Sequence, residues 1–188
     1  NAVADTWFTA ANFLGYAADL RVVRASATGE KNASSNGTGE VIWNEDKYQI
    51  FSATDANNKF TAKYPGELGN SIGVVVFANT AGFALVAADA NNASYSYANQ
   101  FDFAPNTTPY VLGARSGAVV GDELHILVYD KNGRFTGTAG TVLERFQSLS
   151  KLTDAKSVTG AGNYYKNVIA TQSQYLWSIG HPTTNTTN

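Results

Sequence analysis

Short runs of apolar, β-branched residues separated by turn formers are the clearest pattern in this chain. Residues 60–64 (FTAKY) and 72–78 (IGVVVFA) have the composition of strands. The segment between them, PGELGNS at 65–71, contains two Gly-bearing pairs that favour tight turns. The pattern therefore predicts a strand, a turn and a second strand across this region.

A β-hairpin is predicted further along the chain. Residues 122–129 (DELHILVY) have the alternation of a strand, and Asn132-Gly133 in the following DKNG suits a primed two-residue turn. A return strand then passes through residues 142–146. We expect these two strands to pair directly.

Helical spacing appears in three places. The first helix is predicted to have Asp5 or Thr6 as its N-cap and to give way to a short strand at residues 20–25. A short strand in VIW precedes Asn44, which suits the N-cap of a second helix with acidic residues in its first turn. A third helix at 164–170 leads into the strand-like QYLWSI.

Two polar stretches, residues 26–40 and 90–118, are predicted to be long surface loops, and residues 181–188 a flexible tail. The second loop carries five aromatic residues: Tyr95, Tyr97, Phe101, Phe103 and Tyr110. Such spacing suits a stacking platform for bases or sugars. Because no basic residues are interleaved, we favour the interpretation that these rings pin the loop to the domain surface.

Composition places the chain among globular proteins. Its 188 residues, 44% of them hydrophobic and 15% charged, support a single mixed, β-rich α/β domain with a β-hairpin, a few short helices and long surface loops. A net charge of -2 from 13 basic and 15 acidic residues argues against nucleic acid as a partner. No apolar run approaches the roughly 20 residues that span a bilayer, so membrane insertion is not expected.

Candidate chemistry is sparse. Ser71 lies in GNSIG, a formal match to the G-x-S-x-G pattern of serine hydrolases. That pattern needs a strand, then a turn, then a helix, whereas Ser71 lies in a turn before a strand, so we favour a structural turn serine over a nucleophile. The two histidines are His125, in a predicted strand, and His181, in the predicted tail.

No catalytic, cofactor-binding or metal-binding residue is predicted. Cysteine is absent, which removes disulfides and thiolate ligands, and the acidic pairs lack the spacing typical of metal sites. No phosphate-binding glycine-rich loop occurs either. The sequence therefore favours a protein that is not an enzyme and has no cofactor.

Four separated segments resemble, in the same order, the sheath subunit of contractile bacteriophage tails, especially of the T4-like myovirus kind. The most specific is the one with a Tyr-Pro-Gly turn followed by a Gly-Asn pair and a strand. The segments are WFTAANFLGYAADLRVVRA, FTAKYPGELGNSIGVVVF, LHILVYDKNGRFTGTAGTVLERFQSLS and NYYKNVIATQSQYLW. Because the chain begins with Asn1 and contains no methionine, we expect a fragment of such a subunit.

The resemblance implies a mechanical function. The chain would be part of a subtilisin-like α/β tail-sheath domain used without catalysis. Subunits of this family stack as hexameric rings around the tail tube, and their contraction drives the tube through the host envelope to deliver the genome. The implied partners are other copies of the chain, the tail tube protein, and the baseplate and tail terminator proteins, in a virion tail assembled in the host cytoplasm.

Two alternative functions stay open. The aromatic loop is compatible with a carbohydrate- or receptor-binding β-domain of a virion. The sheath of a related contractile injection system would have the same mechanical function.

The resemblance also singles out two sets of residues. The first is a structural motif whose members are Tyr64, Pro65, Gly66, Gly69 and Asn70. Its Tyr64-Pro65-Gly66 turn would fix the direction of the strand entering the sheet, because Pro presets φ and Gly permits backbone conformations closed to other residues. An ordinary hairpin turn is the alternative. The second set, Arg21 and Arg24, would lie at an intersubunit contact, with a solvated strand end as the alternative.

Overall fold

The computed structural model combines two antiparallel sheets with short helices, as the sequence predicted for a mixed, β-rich α/β fold. It describes residues 2–22, 29–35, 39, 41–51, 59–91, 95–114, 120–180 and 186–187. The helices are α1 (Ala2–Leu14), α2 (Glu45–Gln49), α3 (Thr80–Ala88), α4 (Tyr95–Ala98), α5 (Pro109–Ala114) and α6 (Tyr165–Gln172).

Side-chain caps explain where two of these helices begin. The Asn44 side chain accepts a hydrogen bond from the Lys47 backbone N–H, which confirms the predicted cap of α2. Asn79 caps α3 in the same way through the Gly82 N–H. Helix α3 was not predicted, although Asn79 as an N-cap and the apolar run after it are typical of the start of a helix.

The smaller sheet has three strands in the order β1-β2-β6. These strands are β1 (Asn32–Ser34), β2 (Phe60–Pro65) and β6 (Leu176–Ser178). Strand β2 is central, and Thr61 faces Trp177 across its pairing with β6. The strand predicted in QYLWSI is thereby confirmed, as is the strand at 60–64.

The larger sheet has the order β5-β4-β3-β7. Its strands are β3 (Ile72–Phe77), β4 (Glu123–Asp130), β5 (Thr141–Ser150) and the two-residue β7 (Thr186–Thr187). Strands β3 and β4 pair from Ile72 opposite Asp130 to Phe77 opposite His125. Strands β4 and β5 form the predicted hairpin.

Alternation along β3 divides the hydrophobic core into two layers. Val74 and Val76 contact a cluster that includes α6 and residues of the smaller sheet, such as Phe60. Val75 and Phe77 face the opposite layer, beneath α3 and α4. Because β3 and β4 are buried on both faces, their sequences are nearly continuous apolar runs and do not alternate between apolar and polar residues.

Several expectations for the strands were wrong. The connection between β4 and β5 is residues 131–140, not a two-residue primed turn, because backbone N–H groups of this loop converge on a carboxylate at its start. Residues 60–64 and 72–78 belong to different sheets, so the hairpin alternative for the turn between them is excluded. Residues 20–22 and 41–43 form no strand, and residues 23–25 lie outside the described part.

The predicted loops also contain regular structure. Strand β1 lies within 26–40, where the buried Asn32 amide donates to the carbonyls of Ile42 and Ala62 at 2.9 and 2.8 Å. The stretch 90–118 contains α4 and α5. Of the predicted tail, residues 186–187 pair with β3, and 181–185 and 188 lie outside the described part.

Candidate functional site

A groove lies where the two sheets meet, with a volume of about 700 Å³. We call it the junction groove and define it by six of the residues that line it: Tyr64, Leu68, Ile72, Phe135, Gln172 and Tyr175. Tyr64 and Leu68 are 66% and 50% exposed. The groove therefore offers an accessible surface in which apolar and polar side chains lie side by side.

The predicted Tyr-Pro-Gly motif forms the link between the sheets at this groove. Pro65 ends β2, and Gly66 takes φ 117° and ψ 173°, a conformation that is strained for any residue with a side chain. The Gly66 N–H donates to the carbonyl of Lys31 at 3.0 Å. A 3₁₀-helix from Glu67 to Ser71 then carries the chain into β3.

Close packing explains the second half of the motif. A Cβ atom at Gly69 would lie 2.8 Å from the Cβ of Ala62 and 3.0 Å from that of Ala33, so only glycine fits between β1 and β2. Asn70 is exposed, and its carbonyl accepts from the Asn132 side chain at 3.3 Å. The five motif residues thus lie together at the junction, and their role in assembly stays a prediction.

Ser71 and Asp130 fasten the β4–β5 loop to the start of β3. Both side chains are fully buried, and the Ser71 hydroxyl donates to the Asp130 carboxylate at 2.6 Å. Ser71 Oγ also accepts from the backbone N–H groups of Asn132 and Arg134 at 3.2 and 3.3 Å. Ser71 therefore connects two segments that are distant in sequence.

The Asp130 carboxylate is the centre of the loop. It accepts from the backbone N–H groups of Arg134, Phe135 and Thr136 at 3.0, 2.8 and 2.8 Å, and from the Thr136 hydroxyl at 3.0 Å. Burial by itself raises the pKa of Asp130, but hydrogen bonds from Ser71, Thr136 and Phe135 outweigh it and hold that pKa well below its ordinary value. The carboxylate stays ionised and fixes the loop.

Sequence reasoning missed Asp130. The available signal was an acidic residue that ends an apolar strand and precedes a loop rich in Gly and Thr. Asp130 also affects the groove, because the loop that it fixes holds Phe135 against Tyr175. The two rings make an edge-to-face contact with centroids 5.3 Å apart.

Lys63 lines the groove beside the end of α6. Its ammonium donates to the carbonyls of Ala170 and Ser173 at the end of α6, where a cation complements the helix dipole. It also lies 4.4 Å from the centroid of the Trp177 ring. Burial lowers the Lys63 pKa, and the carboxylates of Glu45 and Glu144 oppose that shift.

His125 lies at the far end of the β3–β4 ladder from Ser71. His125 faces Phe77, which is six positions along the chain from Ser71, or roughly 20 Å along the strand direction. His125 Nε2 donates to the carbonyl of Phe103 at 2.9 Å, and Nδ1 accepts from the Ser148 N–H at 3.1 Å. Both ring nitrogens are therefore occupied, and His125 does not contact Ser71. His181 lies outside the described part of the chain.

Two of the five aromatic residues of 95–110 pack inward, and the side chain of Tyr95 lies outside the described part. Tyr97 lies over Tyr129 with ring centroids 4.6 Å apart, and Phe101 is buried and stacks on His125 at 4.8 Å. These two rings confirm the interpretation that the aromatics pin the loop. Phe103 is 50% exposed, and it meets His125 edge-on at 5.7 Å, so it extends the packing around His125.

The remaining predictions concern the two arginines, metal ions and the membrane. The Arg21 side chain is 89% exposed and lies 3.8 Å from Asp19, and Arg24 is outside the described part. Among the described residues, no group of three or more His, Asp or Glu is arranged to hold a metal ion. Within the same ranges, none of the helices has the length and apolar character needed to cross a bilayer.

Comparison with known proteins bears on the whole chain. No protein-family model matches it. The tail sheath protein of Salmonella phage ViI is 29% identical to it over 165 residues, which is 86% of this chain. The chain spans 22% of the length of that protein. Most of this chain is therefore similar to a phage tail sheath protein, and the similarity covers about a fifth of that relative's length.

Proposed function

We propose that this chain is part of the subunit of a contractile phage tail sheath, which surrounds the tail tube and contracts to drive it through the host envelope. The observation that carries the proposal is the similarity to the tail sheath protein over 86% of the chain. The proposed setting is the virion tail, assembled in the host cytoplasm. The proposed partners are other copies, the tail tube protein, and the baseplate and tail terminator proteins.

The geometry supports a mechanical function. The segment Tyr64 to Ser71 leads directly from one sheet into the other, and the Ser71–Asp130 bond fastens the β4–β5 loop to the end of that segment. A body built in this way can transmit force between neighbours. In a bistable assembly each subunit contributes a small free-energy difference between two packings, and many copies sum it. The further proposal of a subtilisin-like domain of the T4-like kind rests on the resemblance of the four segments.

Electron microscopy of the full-length parent protein tests this function. We expect striated tubes or stacked six-fold rings when the protein is expressed alone or together with its tail tube protein. Monomers under both conditions would overturn the proposal.

A non-enzymatic role for Ser71 is part of the proposal, and a fluorophosphonate probe tests it. The Ser71 hydroxyl is buried and already donates to Asp130, and His125 does not contact it. We therefore expect no labelling of the folded chain. Labelling at Ser71 that is lost in Ser71→Ala would support a hydrolase instead.

A further inference from the structure

The β4–β5 loop contains an Asn-Gly pair, Asn132-Gly133, between the residues that fasten it. Asparagine is one of the thermolabile residues of proteins, because a main-chain nitrogen can attack its side-chain amide. A following glycine favours this attack, since it has no Cβ to hinder the approach. The loop that carries Phe135 therefore also carries a reactive amide.

The reacting groups of this pair are accessible. The Asn132 side chain is exposed, and its one hydrogen bond among the described residues is a long one, from Nδ2 to the Asn70 carbonyl at 3.3 Å. The Gly133 N–H donates to no acceptor within the described part of the chain, whereas the N–H groups of Asn132 and Arg134 on either side are bound. The nitrogen that would attack is the one that the loop leaves free.

The fold itself requires the glycine of this pair. Gly133 has a φ of +74°, and a Cβ atom there would lie 2.9 Å from the Ala139 nitrogen. Asn132 is under no such constraint, since its exposed side chain makes only the long bond to Asn70. The residue that makes the pair reactive is thus fixed by the geometry of the loop.

We propose that Asn132-Gly133 is a site of spontaneous deamidation, and that the isoaspartate formed there unfastens the β4–β5 loop. The Gly133 nitrogen gives its proton to solvent and bonds to Asn132 Cγ. The bond from Cγ to Nδ2 breaks, and Nδ2 takes up a proton and leaves as ammonia, so that a succinimide ring remains.

Water then opens the succinimide ring in one of two ways. Addition at Cγ breaks the bond from Cγ to the Gly133 nitrogen and gives aspartate. Addition at the main-chain carbonyl carbon of residue 132 breaks the peptide bond instead and gives isoaspartate. The net change in both cases is one water taken up and one ammonia released.

Isoaspartate would disrupt the hydrogen bonds that fasten the loop. The N–H groups of residues 132 and 134 both donate to Ser71 Oγ, at 3.2 and 3.3 Å. In isoaspartate the main chain runs through the side-chain carbons, which inserts one additional CH2 group between these two donors. They can then no longer meet the same oxygen in the present geometry. The Arg134 N–H also donates to Asp130, so the displacement reaches the carboxylate at the centre of the loop.

Aspartate, the other product, should have a smaller effect. It keeps the length of the main chain, and so it keeps the spacing of the two N–H groups that donate to Ser71. Its carboxylate replaces the amide that donated to the Asn70 carbonyl, which loses one long hydrogen bond at an exposed position. The two products therefore differ in what they do to the loop.

The fastening in turn restrains the reaction. Ring closure requires the main chain to rotate at Asn132, and the hydrogen bonds from Asn132 and Arg134 to Ser71 oppose that rotation. Local opening of the loop is then needed before the ring can close. A loop freed from Ser71 should deamidate faster than the loop of the wild type.

Peptide mapping of aged protein tests the inference. The full 188-residue chain is kept folded at mildly alkaline pH and physiological temperature and then digested with chymotrypsin, beside fresh protein digested in parallel. Cleavage after Tyr129 and Phe135 releases residues 130–135 (DKNGRF). We expect this peptide to gain the mass difference between OH and NH2 during ageing. Most of the product should be isoaspartate, which an isoaspartate-specific methyltransferase labels.

Two controls accompany this measurement. Asn132→Gln keeps an amide at an exposed position, but its longer side chain closes a ring far more slowly, so the peptide should stay unmodified. The second Asn-Gly pair of the chain, Asn36-Gly37, lies outside the described part of the structure and shows whether the conditions permit the reaction.

Two further variants separate the effect of the fastening from that of overall stability. Ser71→Ala removes the acceptor of the two N–H groups, and it should deamidate at Asn132 roughly threefold or more faster than wild type. Phe101→Ala destabilises the chain at a distance from the loop, and it should deamidate there at the rate of wild type as long as it is folded. Aged chains that contain isoaspartate should unfold at lower urea concentration than Asn132→Asp.

Three outcomes would overturn the inference. An unmodified 130–135 peptide, under conditions in which Asn36-Gly37 deamidates, would show that the folded loop blocks ring closure. An isoaspartate-containing chain with the urea midpoint of fresh protein would show that the loop tolerates the additional CH2 group. Equal acceleration in Ser71→Ala and Phe101→Ala would show that overall stability, and not the fastening, governs the reaction. All three are independent of whether the parent protein forms a sheath.

Discussion

At one end of the β3–β4 ladder Ile72 faces Asp130, and at the other end Phe77 faces His125. The first, which we call the groove end, is fastened by one buried carboxylate that accepts hydrogen bonds from Ser71 and from the loop backbone. The second, the aromatic end, is filled by rings that pack around His125. Hydrogen bonds are directional and costly to leave unmade, whereas ring packing tolerates small changes of shape.

The largest effect is expected from Asp130→Asn at the groove end. The amide has nearly the same shape as the carboxylate, but in either orientation its NH2 group meets a backbone N–H. That N–H belongs to Arg134 at the Oδ1 position, or to Phe135 and Thr136 at the Oδ2 position. We expect the urea midpoint to fall further than it does for any substitution at Phe101 or Ser71. Asp102→Asn, at an exposed carboxylate, is the control. A small change in Asp130→Asn would remove the distinction between the two ends.

Phe101 tests the aromatic end. Replacement by alanine leaves a cavity beside Phe77 and His125 and should cost about 3 kcal/mol of the free energy of unfolding. Replacement by leucine keeps most of the volume and should cost less than about 1.5 kcal/mol. Urea denaturation measures both. Equal losses would show that ring geometry, and not volume, holds this end.

Ser71→Ala tests the same hydrogen-bond network at the groove end by removing the partner of Asp130. The change removes the donor to Asp130 and leaves the N–H groups of Asn132 and Arg134 with fewer acceptors. We expect a loss of about 1–3 kcal/mol in the free energy of unfolding, measured by urea denaturation. Stability equal to wild type would mean that the loop reorganises without this serine.

Acid should weaken the groove end selectively. The pKa of Asp130 is lowered in the folded chain from the ordinary value of 3.8, so as the pH falls the unfolded state takes up the proton first. The stabilisation is therefore complete above about pH 4 and is lost as the pH falls through the folded pKa. Urea midpoints measured between neutral and acidic pH should fall more steeply for wild type than for Asp130→Asn. Parallel curves would contradict this assignment.

Local pattern was sufficient for much of the fold. Residues 60–64 and 72–78, both strands of the hairpin and the helix near 164–170 formed as predicted, because each has the composition or spacing of its element within a few residues. The cap at Asn44 is equally local. These features need no information from elsewhere in the chain.

What could not be predicted depends on contacts between distant residues. Strand β1 forms in a polar stretch because Asn32 bonds to Ile42 and Ala62. The Ser71–Asp130 bond, which fastens the loop that carries Phe135, joins residues 59 positions apart. The motif at Tyr64–Gly66 was recognised, but its position between two sheets rather than within a hairpin follows only from the pairing of β2 with β6 and of β3 with β4.

The fastening of the β4–β5 loop has a consequence for the entropy of binding. Phe135 belongs to that loop, and its backbone N–H is tied to Asp130 whether or not the groove is occupied. Ordering an interface side chain on binding costs roughly 0.5–1.5 kcal/mol, and ordering a whole loop costs more. Because this wall of the groove is already ordered, any partner that enters the groove would spend little of its binding free energy on organising the surface that receives it.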